Sequence, residues 1–237
     1  LNSITGVITI KRIYMLHGFM GTAHTHFSHQ ISYFGESYEL ITLDLPGHGH
    51  ATVASSPDYI EDTITYLIHQ LRSTGPGLLM GLSLGASLAI HTALRAPEQV
   101  EGVVLTGYSP FIPEELKGIM EKQHEFFLNI EEHDEEAARH FHDLHGEKWK
   151  ETIQHVLHTM TFHYPAVTKE DLLSIKTPVL LLNGSHDVHE VEAVSFVNKS
   201  NPEIEVGLIP DAGHTANIDQ PEIFNRVVGS FLNRHSH

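Results

Sequence analysis

The sequence predicts an α/β protein: a mostly parallel central sheet with helices on both faces, and a helical cap inserted between two of its strands. Three observations carry that expectation. Short apolar runs alternate with helix-period segments along most of the 237 residues, the rhythm of strand, crossover helix and next strand. The apolar runs end in glycine-rich or polar turn chemistry, where a parallel sheet opens its C-terminal edge. The rhythm then stops between Pro110 and Pro165, where helical patterns succeed one another with no strand between them.

Taken in order, Ile13-Tyr14-Met15-Leu16 is the first strand, and it runs straight into the bend His17-Gly18-Phe19-Met20-Gly21. Phe27, Ile31 and Phe34 follow at i, i+4 and i+7, one face of a helix. Leu40 to Leu43 is the second strand, closed by the dense turn signal Asp44-Leu45-Pro46-Gly47-His48-Gly49. Ser56-Pro57 predicts a helix start, with serine as N-cap and proline in the first turn. Ile60, Ile64, Leu67, Ile68 and Leu71 keep one apolar face until Gly75-Pro76-Gly77 stops it.

The third strand, Leu78-Leu79-Met80, ends in Gly81-Leu82-Ser83-Leu84-Gly85 and passes at once into a small-residue helix that stops before Pro97. Val103-Val104-Leu105 is the fourth strand. Three helical patterns make up the predicted cap, around Leu116, Ile119 and Met120, around Ala137, Ala138, Phe141 and Leu144, and around Trp149, Ile153, Val156, Leu157 and Met160. The acidic run Glu131 to Glu136 is expected to start one of them, since negative charge suits a helix N-terminus. Alternation resumes with a strand over 177–182, a helix through Val191, Val194 and Val197, a strand from Glu205 to Ile209, and a last helix starting at Gln220-Pro221. The expected division is a core of residues 1–109 and 166–237 and a cap of 110–165.

Composition narrows the partners. Fourteen basic against thirty acidic residues give a net charge of −16, which disfavours nucleic acid and anionic lipid. No apolar run is long enough for a membrane span and no charged-then-apolar leader opens the sequence, so a cytoplasmic location is expected. The absence of cysteine excludes disulfides, thiolate metal sites and a cysteine nucleophile. The 21 histidines carry charge that changes between about pH 5 and 8.

The chemistry gathers at strand ends. A serine on a sharp strand-to-helix turn projects its hydroxyl away from the backbone, and Gly81 and Gly85 leave room where the chain nearly touches itself. Asp187 and His214 also lie just past predicted strands, and such ends converge on one edge of a parallel sheet. Ser83 needs a base to become a nucleophile, His214 near its ordinary pKa of ~6.5 supplies one, and Asp187 is the expected carboxylate partner of the imidazole. The N–H groups of Phe19 and Leu84 are the expected pair of donors for an oxyanion. Asp44 and Asp211 are read as turn-forming, His17 as shaping the bend before Phe19, and Ser109 and Ser185 lack the glycine-flanked turn. His186-Asp187-x-His189-Glu190 and the pair His155/His158 lack third and fourth ligands at recognisable spacing, so no metal is expected.

These motifs resemble the α/β-hydrolase superfamily along nearly the whole length. His17-Gly18-Phe19 is similar to the family's oxyanion bend, Asp44-Leu45-Pro46-Gly47-His48-Gly49 to its D-x-P-G-x-G turn, and Gly81-Leu82-Ser83-Leu84-Gly85 to its nucleophile elbow. Gly184-Ser185-His186-Asp187 is similar to the acid loop and Ala212-Gly213-His214 to the histidine loop. The resemblance implies a serine hydrolase, most often a carboxylesterase, with a helical cap and no cofactor. Two features depart from it: Ala86 stands where many relatives have a second glycine, and the portion before Ile13 is short for the usual opening strands, so a truncated first hairpin is expected.

An apolar neighbourhood of Phe19, Met20, Leu82 and Leu84 favours small or medium acyl esters as substrates. Carbon–carbon bond hydrolases and the menaquinone-pathway synthase that eliminates pyruvate share the motifs. That synthase family usually carries an arginine just after the elbow, where this sequence has Ala86-Ser87. A third alternative is a ligand receptor or signalling partner built on the same fold. Turnover of graded p-nitrophenyl esters separates the esterase from the other two.

Overall fold

The computed structural model describes residues 11–235. The six apolar runs form one sheet of β1 (Arg12–Leu16), β2 (Glu39–Leu43), β3 (Gly77–Leu82), β4 (Val100–Thr106), β5 (Val179–Gly184) and β6 (Glu205–Ile209). The strand order is β2-β1-β3-β4-β5-β6, and each described pairing is parallel. The family's opening hairpin would fall on residues before β1, outside the described residues.

Side-chain alternation along the strands builds two cores. Tyr14, Leu16, Leu79, Val103, Leu105 and Leu181 point to one face, where they meet α2 (Tyr59–Thr74), α3 (Leu84–Arg95), α8 (Lys169–Ser174) and α9 (Val188–Ser200). Ile13, Met15, Met80, Val104, Leu180 and Leu182 point to the other, against α1 (Ala23–Phe34), α10 (Ala216–Asp219) and α11 (Pro221–Arg234). A strand covered on both faces reads as a continuous apolar run, which is why these were legible. Each fully buried leucine or isoleucine contributes about 1.5–3 kcal/mol.

Between β4 and β5 the chain forms α4 (Glu114–Leu128), α5 (Ile130–His133), α6 (Glu135–His145) and α7 (Trp149–Phe162). The acidic run is divided between two of these helices. Glu131 and Glu132 lie in α5, and Asp134 caps α6 by accepting Ala137 N–H at 2.9 Å. Phe19 and Met20 pack with Ile130, Trp149, Ile153, Phe127 and Leu157, so these helices sit on the bend that follows β1. Helix α4 buries none of its residues, and Ile119, Phe126 and Leu128 stay 52%, 42% and 45% exposed.

The start of α2 departs from expectation. The helix begins at Tyr59, because the Ser56 hydroxyl is spent on Asp62 Oδ2 at 2.6 Å and caps no backbone N–H. Gly75 ends α2 at φ 120°, but Gly77 is already the first residue of β3. No helix among the described residues is long and apolar enough to cross a membrane.

Candidate active site

Ser83 links β3 to α3 with φ 55° and ψ −114°, a conformation that costs a non-glycine residue about 1–3 kcal/mol and persists only where the surroundings enforce it. Enforcement comes from both sides. Ser83 N–H donates to Thr106 O at 2.9 Å, and α3 passes so close to β1 that a Cβ on Gly85 would lie 1.9 Å from the Leu16 carbonyl oxygen. Leu84 is the first residue of α3, so its N–H has no intrahelical acceptor.

The bend after β1 is held by histidines. Leu45 N–H donates to His17 Nε2 at 3.0 Å, so the ring proton sits on Nδ1 and donates to Gly18 O at 2.8 Å. Gly18 N–H donates to His26 Nδ1 at 3.0 Å, and Gly21 N–H donates to Gly18 O at 3.3 Å. These bonds fix the backbone on either side of Phe19. From α6, His145 accepts Gly49 N–H at 2.8 Å through Nδ1, so its Nε2–H donates to Met20 O at 3.0 Å. One imidazole thereby ties the inserted helices to both the bend and the turn after β2. The sequence reading of His17 as a shaping residue agrees with these contacts. Asp44 is likewise structural, its carboxylate accepting from His50 N–H at 2.9 Å and Ala23 N–H at 3.4 Å.

His17, His48 and His145 form a buried cluster, with ring centroids 4.9 Å apart for His17–His48 and 5.4 Å for His48–His145. Burial favours the neutral ring in each case, taking His17 down to about 3 and lowering His48 and His145. Unfolded histidine titrates near ~6.5, so the unfolded chain binds more protons below that value, and stability is lost as the pH is lowered through that window. His17 alone removes roughly 2 kcal/mol between pH 6.5 and 5. His214, whose pKa is raised, acts with the opposite sign: its contribution is fully present below ~6.5 and lost at higher pH. We expect the urea midpoint to drop between pH 7.5 and 5 with little change in m, and to drop less in His17→Gln. Equal midpoints at the two pH values in the parent protein would contradict the burial of neutral rings.

Ser83, His214, Asp187, Phe19 and Leu84 line one cavity of about 300 Å³. Within it the carboxylate bonded to the histidine is Glu190 rather than the expected Asp187: Glu190 Oε1 lies 2.5 Å from His214 Nδ1. Asp187 is the N-cap of α9, and its Oδ1 accepts His189 N–H at 2.9 Å and Glu190 N–H at 3.2 Å. Asp187 Oδ1 is thus spent on the backbone, whereas Glu190, in the first turn of α9 and 5% exposed, makes the hydrogen bond to the ring. Asn183, at the end of β5, fixes that turn by donating to Glu190 O at 3.2 Å and Tyr108 O at 2.8 Å. Gly107 lets the histidine loop close in, since a Cβ there would lie 2.5 Å from His214 O.

With Nδ1–H donated to Glu190, Nε2 of His214 is the free acceptor. Burial opposes charge on His214 and is the largest single influence. The Glu190 hydrogen bond and the charges of Glu190, Asp187 and Asp219 outweigh it and raise the pKa above the ordinary value. Of the discounted residues, Ser109 Oγ donates to Phe111 O at 2.7 Å, and the exposed Asp211 lies 3.5 Å from His186. Phe111, Leu116, Met120, Phe127, Leu157 and Met160 supply most of the apolar wall, Ser87, Ser109, Gln123, Tyr164 and His189 add polar groups, and no Lys or Arg lines it among the described residues.

A strained serine between strand and helix, a histidine–carboxylate pair in the same cavity and the parallel sheet beneath them define a class, and comparison with known proteins names it. The profile of the alpha/beta hydrolase family matches residues 13–227, and the chain belongs to that family. It is 33% identical over 169 residues to carboxylesterase YbfK of Bacillus subtilis, an alignment taking in 65% of this chain and 56% of that protein. The chain thus spans a little over half the length of YbfK. It is 23% identical to the (E)-2-((N-methylformamido)methylene)succinate hydrolase of Acinetobacter baylyi, over 86% of this chain and 83% of that one. The crystal structure of NosK from Streptomyces actuosus superposes with a TM-score of 0.89 at 30% identity, covering 96% of this chain and 100% of that chain.

Proposed function

We propose that this protein is a serine hydrolase of small to medium carboxylic esters that lack a negative charge. The observation that carries the reading is the His214–Glu190 pair at 2.5 Å sharing one cavity with Ser83. Ser83 Oγ attacks the ester carbonyl carbon while His214 Nε2 takes its proton, and Glu190 stabilises the imidazolium that forms. The N–H groups of Phe19 and Leu84 act as the oxyanion hole for the tetrahedral intermediate. Collapse breaks the C–O bond, and His214 returns the proton to the leaving alcohol. Water, deprotonated by the same ring, then releases the acid and restores Ser83.

The substrate class follows from the walls. A volume of about 300 Å³ stands at the lower end of small-molecule pockets. A largely apolar lining with two carboxylates and, among the described residues, no Lys or Arg disfavours anionic substrates. That same lack of Lys and Arg disfavours a succinate derivative such as the Acinetobacter relative's name describes. The helices α4–α7 serve as the cap of this pocket in residues 110–165, over a core of 1–109 and 166–237.

A fluorophosphonate probe tests the nucleophile without a guessed substrate: mass spectrometry should place the adduct on Ser83, and an unmodified Ser83 with label elsewhere would sink the reading. Graded p-nitrophenyl esters test the class, with rapid multiple turnover expected of an esterase and a single slow turnover of a receptor. Only neutral imidazole accepts the proton, so kcat/KM should rise with pH through a midpoint above 6.5. A flat profile from pH 5 to 9 would exclude His214 as the base.

A further inference from the structure

The bend after β1 turns on Gly18, and a glycine holds neither of its backbone torsions by itself. Its carbonyl accepts from His17 Nδ1–H at 2.8 Å and from Gly21 N–H at 3.3 Å, while its own N–H donates to His26 Nδ1 at 3.0 Å. The Phe19 N–H belongs to the same planar peptide as the Gly18 carbonyl, so it points the opposite way from that oxygen. Whatever fixes the two torsions of Gly18 therefore aims the Phe19 donor. His17 and Gly21 act on one side of Gly18 and are part of the bend. His26 acts on the other side and reaches in from α1.

The surroundings are shaped to hold that ring. A Cβ on Gly21 would lie 2.2, 2.4 and 2.5 Å from Cε1, Nε2 and Nδ1 of His26, so the imidazole fills the place of a side chain at position 21. A Cβ on Gly18 would lie 3.4 Å from both His26 Cε1 and Ser83 Cβ, so the ring and the serine flank the same glycine. Thr22 and Thr25 cap the first turn of α1 reciprocally, and His26 closes it by donating its N–H to Thr22 O at 3.1 Å. The helix kinks at the next residue, Phe27, with φ −126° and ψ 21°, and the His26 carbonyl accepts Asn217 Nδ2–H at 2.7 Å. Asn217 is buried and follows His214 closely in the chain. One residue thereby joins the bend that carries Phe19 to the segment that carries His214. Burial, with His214 and His145 adding to it, lowers the pKa of His26, so the ring stays neutral and Nδ1 remains an acceptor.

We infer that His26 is a positioning residue: by holding the Gly18 N–H it aims the Phe19 N–H at the oxyanion of the tetrahedral intermediate. The inference rests on the ester-hydrolase reading for its kinetic test. A clamp and a mere filler of space respond oppositely to two substitutions. His26→Phe keeps the bulk of the ring and removes the acceptor, whereas His26→Asn loses bulk and keeps an acceptor near the place of Nδ1. On p-nitrophenyl butyrate, His26→Phe should lower kcat about 10- to 100-fold with KM within about twofold of the parent, less than the loss of a whole oxyanion donor. His26→Asn should stay within about threefold of the parent, since the Gly18 N–H keeps a partner. Gly21→Ala should behave like His26→Phe, because Gly21 lies outside the left-handed region and alanine there acts by displacing the ring. The Ki of trifluoromethyl pentyl ketone, whose adduct with Ser83 carries an oxyanion, should rise along with the loss in kcat, and that of methyl pentyl ketone should not. An unchanged kcat in His26→Phe, a His26→Asn variant as impaired as His26→Phe, or equal weakening of both ketones overturns the assignment. If the parent turns over no ester, the hydrolase reading fails separately, and nitrogen NMR of the labelled protein decides the clamp. It requires an unprotonated His26 Nδ1 and a Phe19 amide resonance that moves further in His26→Phe than in His26→Asn. A protonated Nδ1, or a Phe19 amide that does not move in His26→Phe, rejects it.

Discussion

Ser83→Ala is expected to lower kcat on p-nitrophenyl esters by a factor on the order of 10⁶, the loss seen when a triad serine is removed from a comparable hydrolase. The expectation follows from covalent catalysis: without Oγ there is no acyl-enzyme, and what remains is the contribution of binding and of the two N–H donors. The substitution leaves the fold in place. Alanine meets the same φ of 55° as serine, and the bond that anchors the turn is made by the backbone N–H to Thr106 O. Circular dichroism and the urea midpoint should therefore match the parent within experimental scatter. Activity within tenfold of the parent, with the fold intact, would remove Ser83 from the mechanism.

Glu190→Gln should cost about 10⁴ in kcat, the size of the effect when a triad carboxylate becomes an amide that no longer fixes the histidine tautomer. Asp187→Asn should cost far less, since Asp187 contributes its charge to His214 and spends its hydrogen bonds on the backbone. Asparagine caps a helix as well as aspartate does, so α9 survives this change. The pair of variants separates two assignments that sequence motifs conflate. Reversed magnitudes, with Asp187→Asn crippling and Glu190→Gln mild, would return the acid role to Asp187. The midpoint of the pH profile should also fall in Glu190→Gln, since the Glu190 bond and charge both raise the pKa of His214.

The four inner strands were legible because burial on both faces writes an apolar run, and the edge strands β2 and β6 because turn residues follow them. The turns that carry Ser83 and His214 were legible for a related reason: a tight turn restricts the residues around it. The carboxylate was not. Asp187 sits where the motif expects an acid, but it also precedes the helix marked by Val191, Val194 and Val197, and Asp187-x-x-Glu190 is the spacing of an N-cap followed by its third helical residue. A carboxylate at such a position has backbone N–H groups as nearer partners than any distant ring. The α2 start was misplaced because a serine hydroxyl can choose a side chain over a backbone donor, as Ser56 does with Asp62. Neither Asn183 nor His145 carried a local signal, since the contacts of both reach across the fold.

The double hydrogen bond of His145 bears on any attempt to re-engineer substrate scope. Swapping the segment between β4 and β5 for one from a relative, a common route to new selectivity, would alter more than the shape of the entrance. It would also withdraw a support of the Phe19 bend, so chimeras lacking an imidazole at this place should lose turnover number as well as affinity. A graft that retains His145 and its two backbone partners is the version to build.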